Sequence, residues 1–394
     1  MQKKIIVLAV AGAIAGLAAG AASADNATVY GRMDYGYVNT TGNSGSVTSA
    51  QSKSEFVSGA QSGSRIGVKG AEDIGGGAKV IFEAEFGLGI DGNNSNKKSD
   101  GSQAATPNIS GSASVASGQT TFWNRHSYVG LTGGFGTVVG GRLDGVRYGV
   151  FTKYDAFGAG TVGNFTSMTT QVNRADNAIA YISPTFAGGF SVLGAYSSNI
   201  NGPESAGNIN DAKLATIMGS YVNGPISIDL DWEQVKDNKA TAAGTASSGS
   251  NAVAGSNTAP YFSFDTVTVT TIAGSYDFGV AKVSALWDND KTKAFGGATI
   301  GDVDTYYISG KIPFGAVTGK VTYGKTKEKA NGADLGAKKF AVGVDYSLSK
   351  RTTIYADYAR ISNDTGVSKA ISVSAWANGT GGVNGIDLGI AHNF

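Results

Sequence analysis

The chain has 394 residues, with 31 Lys+Arg against 30 Asp+Glu, a net charge of +1 and no cysteine. A near-neutral balance removes the electrostatic basis for binding nucleic acid, and the missing thiols remove disulfide chemistry. The 59 glycines, 17 tyrosines and 17 phenylalanines, beside six prolines, disfavour long helices and favour strands broken by turns.

The first four residues carry Lys3 and Lys4, residues 5–22 are almost wholly apolar and small, and Ala22-Ser23-Ala24 fits a secretory cleavage site. We expect 1–24 to be a signal peptide and 25–394 a single domain. A membrane helix is the competing reading, but the stretch is Ala/Gly-rich and no basic stop follows Asp25. Loss of Lys3 and Lys4 takes the net charge from +1 to −1. Beyond this segment, no run reaches the roughly 18 consecutive apolar residues a membrane helix requires.

Sixteen strands are expected, at 27–39, 64–71, 78–88, 122–131, 136–143, 174–183, 189–198, 213–222, 225–235, 264–276, 280–289, 304–312, 316–327, 338–348, 351–362 and 383–394. Four show their faces directly. In 27–39, Val29, Met33, Tyr35 and Tyr37 alternate with Tyr30, Arg32 and Asp34. In 78–88, Val80, Phe82, Ala84 and Phe86 oppose Lys79, Glu83 and Glu85. In 225–235, Ile226, Ile228, Leu230 and Trp232 alternate with Ser227, Asp229, Asp231 and Glu233. In 338–348, Phe340, Val342, Val344 and Tyr346 alternate with Lys339 and Asp345. One such strand also suits a soluble sandwich. A long series of them, with almost no helix between, points to a closed barrel whose polar face lines water and whose apolar face meets lipid.

Short turns rich in Gly and Asn-Gly (72–76, 132–135, 184–188, 223–224, 277–279, 314–315 and 349–350) alternate with long polar stretches (40–63, 89–121, 144–173, 237–263 and 363–382). In the last strand Ile386, Leu388, Ile390 and Phe394 share one parity, and Asp387 and Asn393 the other. A terminal strand needs a partner, and a barrel closed on its first strand supplies one. The expected fold is therefore all-β: a 16-stranded antiparallel transmembrane β-barrel.

Several segments resemble the Gram-negative trimeric general porins. They are Ser64-Arg65-Ile66-Gly67-Val68-Lys69-Gly70-Ala71-Glu72-Asp73, Arg125-His126-Ser127-Tyr128-Val129-Gly130-Leu131, Phe135-Gly136-Thr137-Val138-Val139-Gly140-Gly141-Arg142, Tyr181-Ile182-Ser183-Pro184, Ser349-Lys350-Arg351-Thr352 and the terminal Phe394. The resemblance spans the whole chain. It implies a homotrimer among outer-membrane lipid and lipopolysaccharide, passive diffusion of ions and small hydrophilic solutes, and Phe394 as the mark for barrel assembly. It also implies that 144–173 is a constriction loop folded into the barrel, carrying Arg147, Lys153 and Asp155.

Six arginines fall early: Arg32, Arg65, Arg125, Arg142, Arg147 and Arg174. In such porins the wall arginines of the first strands face the loop. Arg32, Arg65 and Arg142, with Lys69 and Lys79, are expected on the inward parity. Asp229, Asp231 and Glu233 form an acidic row on the opposite wall, so a transverse field is expected across the pore. The bland alternative is that these arginines pair with Asp34, Glu83 or Glu85 and only hold the wall. The balance leans weakly towards anions.

No enzyme activity, cofactor or metal site is expected. The Gly87–Gly92 G-x-G-x-x-G run lacks a following helix. The oxygen ligands at Asp288-Asn289-Asp290 lack a completing glutamate. His126 and Ser127, as strand neighbours, point to opposite faces and cannot form a hydrolase dyad. Two other readings remain: a substrate-specific channel lined by Tyr148, Tyr154 and Phe157, and a secreted β-rich adhesin.

Overall fold

The computed structural model describes residues 27–43, 52–91, 123–158, 160–169, 172–200, 202, 204, 211–237, 265–329, 335–373 and 382–394. The expected signal peptide, and most of the expected loops 89–121 and 237–263, lie outside the described residues.

Among the described residues seventeen β-segments follow in order: β1 Thr28–Thr41, β2 Lys53–Ser58, β3 Arg65–Gly75, β4 Ala78–Gly87, β5 Ser127–Gly133, β6 Gly136–Asp144, β7 Arg174–Ile182, β8 Phe190–Ser197, β9 Ala212–Asn223, β10 Ile226–Asp237, β11 Thr266–Asp277, β12 Lys282–Lys293, β13 Thr299–Phe314, β14 Val317–Glu328, β15 Leu335–Ser347, β16 Thr352–Asn363 and β17 Asn384–Asn393. The segments pair antiparallel around the sheet, and β17 returns to β1 from Arg32↔Asn393 to Thr41↔Asn384. The sheet is therefore closed, and among the described residues β2 alone has a single ladder partner, β1.

The wall has sixteen staves, because β2 and β3 share one. β2 lies against the upper half of β1 (Tyr35↔Ser58 to Thr40↔Lys53), and β3 against the lower half (Thr28↔Lys69 to Arg32↔Arg65). The sequence pattern places 53–58 within the long polar stretch 40–63, whereas the structure makes it a strand. The break between β2 and β3 at residues 59–64 turns inward: Ser62 N–H donates to Asp34 Oδ2 at 2.9 Å, and Arg32 Nη2 donates to Gln61 Oε1 at 2.6 Å.

Burial follows the period of two. In β17, Ile386 is 45% and Leu388 53% exposed, while Asp387 between them is 2% exposed. β10, β14 and β16 alternate the same way. An outer face of exposed Val, Ile, Leu and aromatic side chains surrounds a polar inner face, the inverse of a soluble protein and the pattern lipid requires. Among the described residues no helix is long and apolar enough to cross a membrane.

Two-residue hairpins close β9–β10 and β13–β14, with Gly224 at φ 56° and Gly315 at φ 59°. Glycine takes this left-handed conformation without the Cβ penalty. At the seam, Gly31 N–H donates to the Phe394 carbonyl and Phe394 N–H to the Gly31 carbonyl, both at 3.1 Å. The final residue is thus itself paired to β1.

Candidate pore site

The segment after β6 does not leave the barrel. It forms α1, Val146–Tyr154, then turns and ends in a short 3-10 helix, Phe165–Met168. Its side chains and amides are bonded to the inner faces of strands from β10 to β17. Arg147 Nη2 meets Asp288 Oδ2 of β12 at 2.6 Å, with both side chains at 0% exposure. Lys153 Nζ meets Asp229 Oδ2 of β10 at 2.8 Å, and the Tyr154 and Ser227 hydroxyls are 3.0 Å apart. Ala156 N–H donates to Ser309 Oγ of β13 at 2.7 Å, and Val162 N–H to Asp387 Oδ2 of β17 at 2.6 Å. Lys339 of β15 donates to the Asn164 carbonyl and, at 2.9 Å, to Ser167 Oγ.

Apolar contacts complete the seat. Phe165 lies 4.6 Å, centroid to centroid, from Tyr307. The Lys320 ammonium stands 5.0 Å over the Phe157 ring. Phe157 and Tyr154 are buried, so both serve as anchors.

Asp155 holds the turn after α1. Its two oxygens accept the N–H groups of Phe157 at 3.0 Å and Phe165 at 2.7 Å. Burial pushes its carboxyl up to about 6, against the opposing pull of those amides and of the Lys339 and Lys311 ammoniums. It is a structural acceptor, 1% exposed.

On the opposite wall, strands β1–β7 gather a cluster the sequence reading assembled only in part. Arg65 Nε meets Glu85 Oε1 at 3.1 Å, and Arg125 Nε meets Glu85 Oε2 at 2.7 Å, so two guanidiniums share one carboxylate. His126 lies between Asp144 (3.1 Å) and Glu83 (3.3 Å), and Arg174 meets Asp144 at 2.8 Å. The Tyr30 hydroxyl donates to Glu83 and, at 3.0 Å, to Glu85. Glu83, Glu85 and His126 have the spacing of a metal ligand set. Their lone pairs are engaged by guanidinium, imidazole and phenol groups, so the donor set does not suit a cation.

The remaining expected residues fall as follows. Arg32 pairs with Asp34 at 3.2 Å. Lys69 Nζ stands 5.0 Å over the Tyr30 ring, and Lys79 is exposed beside the 75–78 turn. Arg142 departs from the regular alternation. The β6–β7 ladder slips between Gly141 and Leu143, and its guanidinium is bonded to Asp176 and, at 3.3 Å, to the Asn124 carbonyl. Asp231 accepts from Thr216 Oγ1 at 2.9 Å, while Asp231 Oδ2 and Glu233 Oε2 have no hydrogen-bond partner among the described residues.

Arg32, Arg65 and Arg125 are all paired with wall carboxylates. Arg125, His126, Glu83 and Glu85 carry the cluster. The signal available in the sequence was the Glu83/Glu85 alternation, with Arg125 just before the next strand. The calcium reading of Asp288–Asp290 is set aside, because Asp288 binds Arg147 and Asn289 donates to Asp302 and Asp304.

A closed, lipid-facing barrel with a polar interior and a segment pinned across it is the architecture of an outer-membrane diffusion channel. The comparisons agree. The sequence profile described as Gram-negative porin matches residues 8–366. Outer membrane porin protein 32 of Delftia acidovorans is 30% identical, with the full length of both chains aligned. An outer membrane porin protein of Bordetella pertussis is 24% identical over the full length of both. The solved anion-selective porin from Comamonas acidovorans superposes with a TM-score of 0.67 at 26% identity, covering 94% of this chain and 99% of that one. The in-vitro folded trimer form of OmpT from Vibrio cholerae, at 17% identity and TM-score 0.63, shares the fold over 94% of this chain and 100% of its own. The chain belongs to the Gram-negative porin family. It is an outer-membrane channel of the general diffusion type and not an enzyme, so the hydrolase and adhesin readings fall away.

Proposed function

We propose that the channel works as a homotrimer and passes ions and small hydrophilic solutes with a weak preference for anions, set by the basic cluster of β1–β7 facing the inward segment. The observation that carries this reading is where the cations of 145–173 are engaged. Arg147 and Lys153 are bonded to Asp288 and Asp229, so they neutralise two carboxylates of the opposite wall. On the basic side Arg65, Arg125 and Arg174 are matched by Glu85, Glu83 and Asp144, and the surplus of positive charge comes from Lys69 and Lys79 on the same wall. Ions passing between the inward segment and this wall meet fixed guanidiniums at short range, where screening is weakest. Asp231 and Glu233 keep part of the opposite wall acidic and hold the preference low.

The general-diffusion reading is favoured over a substrate-specific channel because Tyr154 and Phe157 are packed as anchors. The anion-selective porin from Comamonas acidovorans, at 26% identity, supports the sign of the preference. The signal peptide at 1–24 is part of the proposal, as is a role for Phe394 in assembly.

Purified protein added to a planar bilayer under a salt gradient tests it. Stepwise conductance with a reversal potential on the anion side is expected. Folded trimers that stay silent, or that favour cations, would overturn it.

A further inference from the structure

Three lysines stand side by side on the inner wall, next to the inward segment. Lys282 of β12 lies directly opposite Lys311 of β13, and Lys311 directly opposite Lys320 of β14. All three hold the inward parity of their strands, and the next inward residues away from the short turns are Ser284, Ser309 and Thr322, all buried. The row lies between those turns and the inward segment. Lys282 Nζ donates to the Lys153 carbonyl at 3.4 Å, Ala156 is bonded to Ser309, and Lys320 stands over Phe157. Short turns face the periplasm in such barrels, so the row lines the periplasmic side of the passage.

Like charges placed directly opposite on neighbouring strands repel. The carboxylates nearest the row are already engaged. Lys320 is bonded to Asp345 at 2.7 Å and to Asp357 at 3.0 Å. Asp229 takes Lys153, Asp155 takes the amides of Phe157 and Phe165, and Asp277 takes the Gly279 amide at 2.8 Å. That leaves Lys282 with one long bond to a carbonyl and, among the described residues, Lys311 with no hydrogen bond or ion pair. Both side chains are half-buried on a face that lines the lumen.

We propose that Lys282 and Lys311 form a subsite for a compact oxydianion of the sulfate or hydrogen phosphate class, on the wall opposite the basic cluster of β1–β7. Side chains directly opposite across a strand pair start about 5 Å apart, a gap that one tetrahedral oxyanion spans by giving an oxygen to each ammonium. Each such bond is charge-assisted, and the dianion cancels both unmatched charges. Chloride supplies one charge and leaves the other ammonium unmatched. The subsite rests on the anion preference proposed above and adds to it a preference by charge number.

The test is single-channel recording of the full-length protein in potassium chloride, with potassium sulfate titrated in at constant ionic strength. A saturable fall in chloride current is expected in the wild type, and none when potassium nitrate, a monovalent oxyanion, replaces the sulfate. Lys282→Gln/Lys311→Gln is expected to raise the half-saturating sulfate concentration on the order of 10-fold, and Lys311→Arg to stay close to wild type. Lys213→Gln/Lys236→Gln removes two outward lysines of β9 and β10 and is expected to keep the wild-type titration. Stepwise conductance in plain potassium chloride reports an intact barrel in each variant. The reversal potential in a plain potassium chloride gradient reads the basic cluster separately and is expected on the anion side in wild type and double variant alike. A cation-side value in either would refute the preference assigned to β1–β7, and the sulfate titration still decides the lysine row. A sulfate response that does not saturate, nitrate acting as sulfate does, equal half-saturation in wild type and double variant, or an equal rise in the β9–β10 control overturns the subsite.

Discussion

Replacing Arg147 with methionine isolates the strongest single anchor of the inward segment. Arg147 and Asp288 are both fully enclosed and 2.6 Å apart. Removing the cation leaves the Asp288 carboxylate in the same site with only hydroxyl donors such as Thr169 Oγ1, at 3.1 Å. Breaking a buried pair in this way costs about 3–5 kcal/mol, whereas an apolar pair of similar volume is often neutral. The double variant Arg147→Met/Asp288→Leu is therefore expected to recover most of the loss.

The other ties bear on where the effect appears. Lys153, Ala156, Val162 and Asn164 remain bonded, so the single variant should loosen α1 without releasing the whole segment. The assay pairs thermal melting of the folded oligomer with single-channel recording. The single variant is expected to melt earlier and to show noisier open-channel current, and the double variant to restore both. A single variant that melts and conducts as wild type, or a double variant worse than the single, would refute the claim that this pair fixes the segment.

Two further outcomes follow from the charge arrangement. Arg125→Glu is expected to move the reversal potential towards cations by more than Arg142→Glu, because Arg125 shares Glu85 in the basic cluster while Arg142 is bonded to Asp176 beyond the slipped ladder; equal shifts in a bilayer salt gradient would contradict this. The Asp155 carboxyl, at about 6, lies above the ordinary 3.8. Its contribution to stability is full below about pH 4 and is lost as the pH rises through about 6, a span on the order of 1–3 kcal/mol. The melting midpoint should fall between about pH 4 and pH 7, and Asp155→Asn should flatten that fall; an unchanged slope would remove Asp155 as its source.

The wall was legible because lipid on one side and water on the other force a period of two, and strands such as 225–235 display it without interruption. β2 was not legible. Its six residues, Lys53–Ser58, sit in a Gly/Ser-rich stretch with Phe56 and Val57 as the apolar pair, too short to show a period. Arg142 shows a different limit. Alternation counts residues, and one slip in the ladder at Gly141 breaks the count for whatever follows. The acidic row of β10 was readable as a face, but its partners were not. Lys153 lies 76 positions from Asp229, and Arg147 lies 141 from Asp288, so only the closed barrel brings them together. For the same reason the destination of the loop cations, the point on which the selectivity argument turns, lay beyond any local pattern.

The tip of the inward segment touches both ends of the chain. Val162 N–H is bonded to Asp387 on β17, the last strand. Gly160 lies so near residues 59–64, the break in the second stave, that a Cβ there would stand 1.5 Å from the Gln61 carbonyl oxygen. A sheet whose first and last strands have not yet met offers this tip only half a seat. The middle of the chain therefore depends on its ends: the inward segment gains its full set of contacts only once the seam between Gly31 and Phe394 has closed, and an incompletely rolled barrel leaves that segment half-seated.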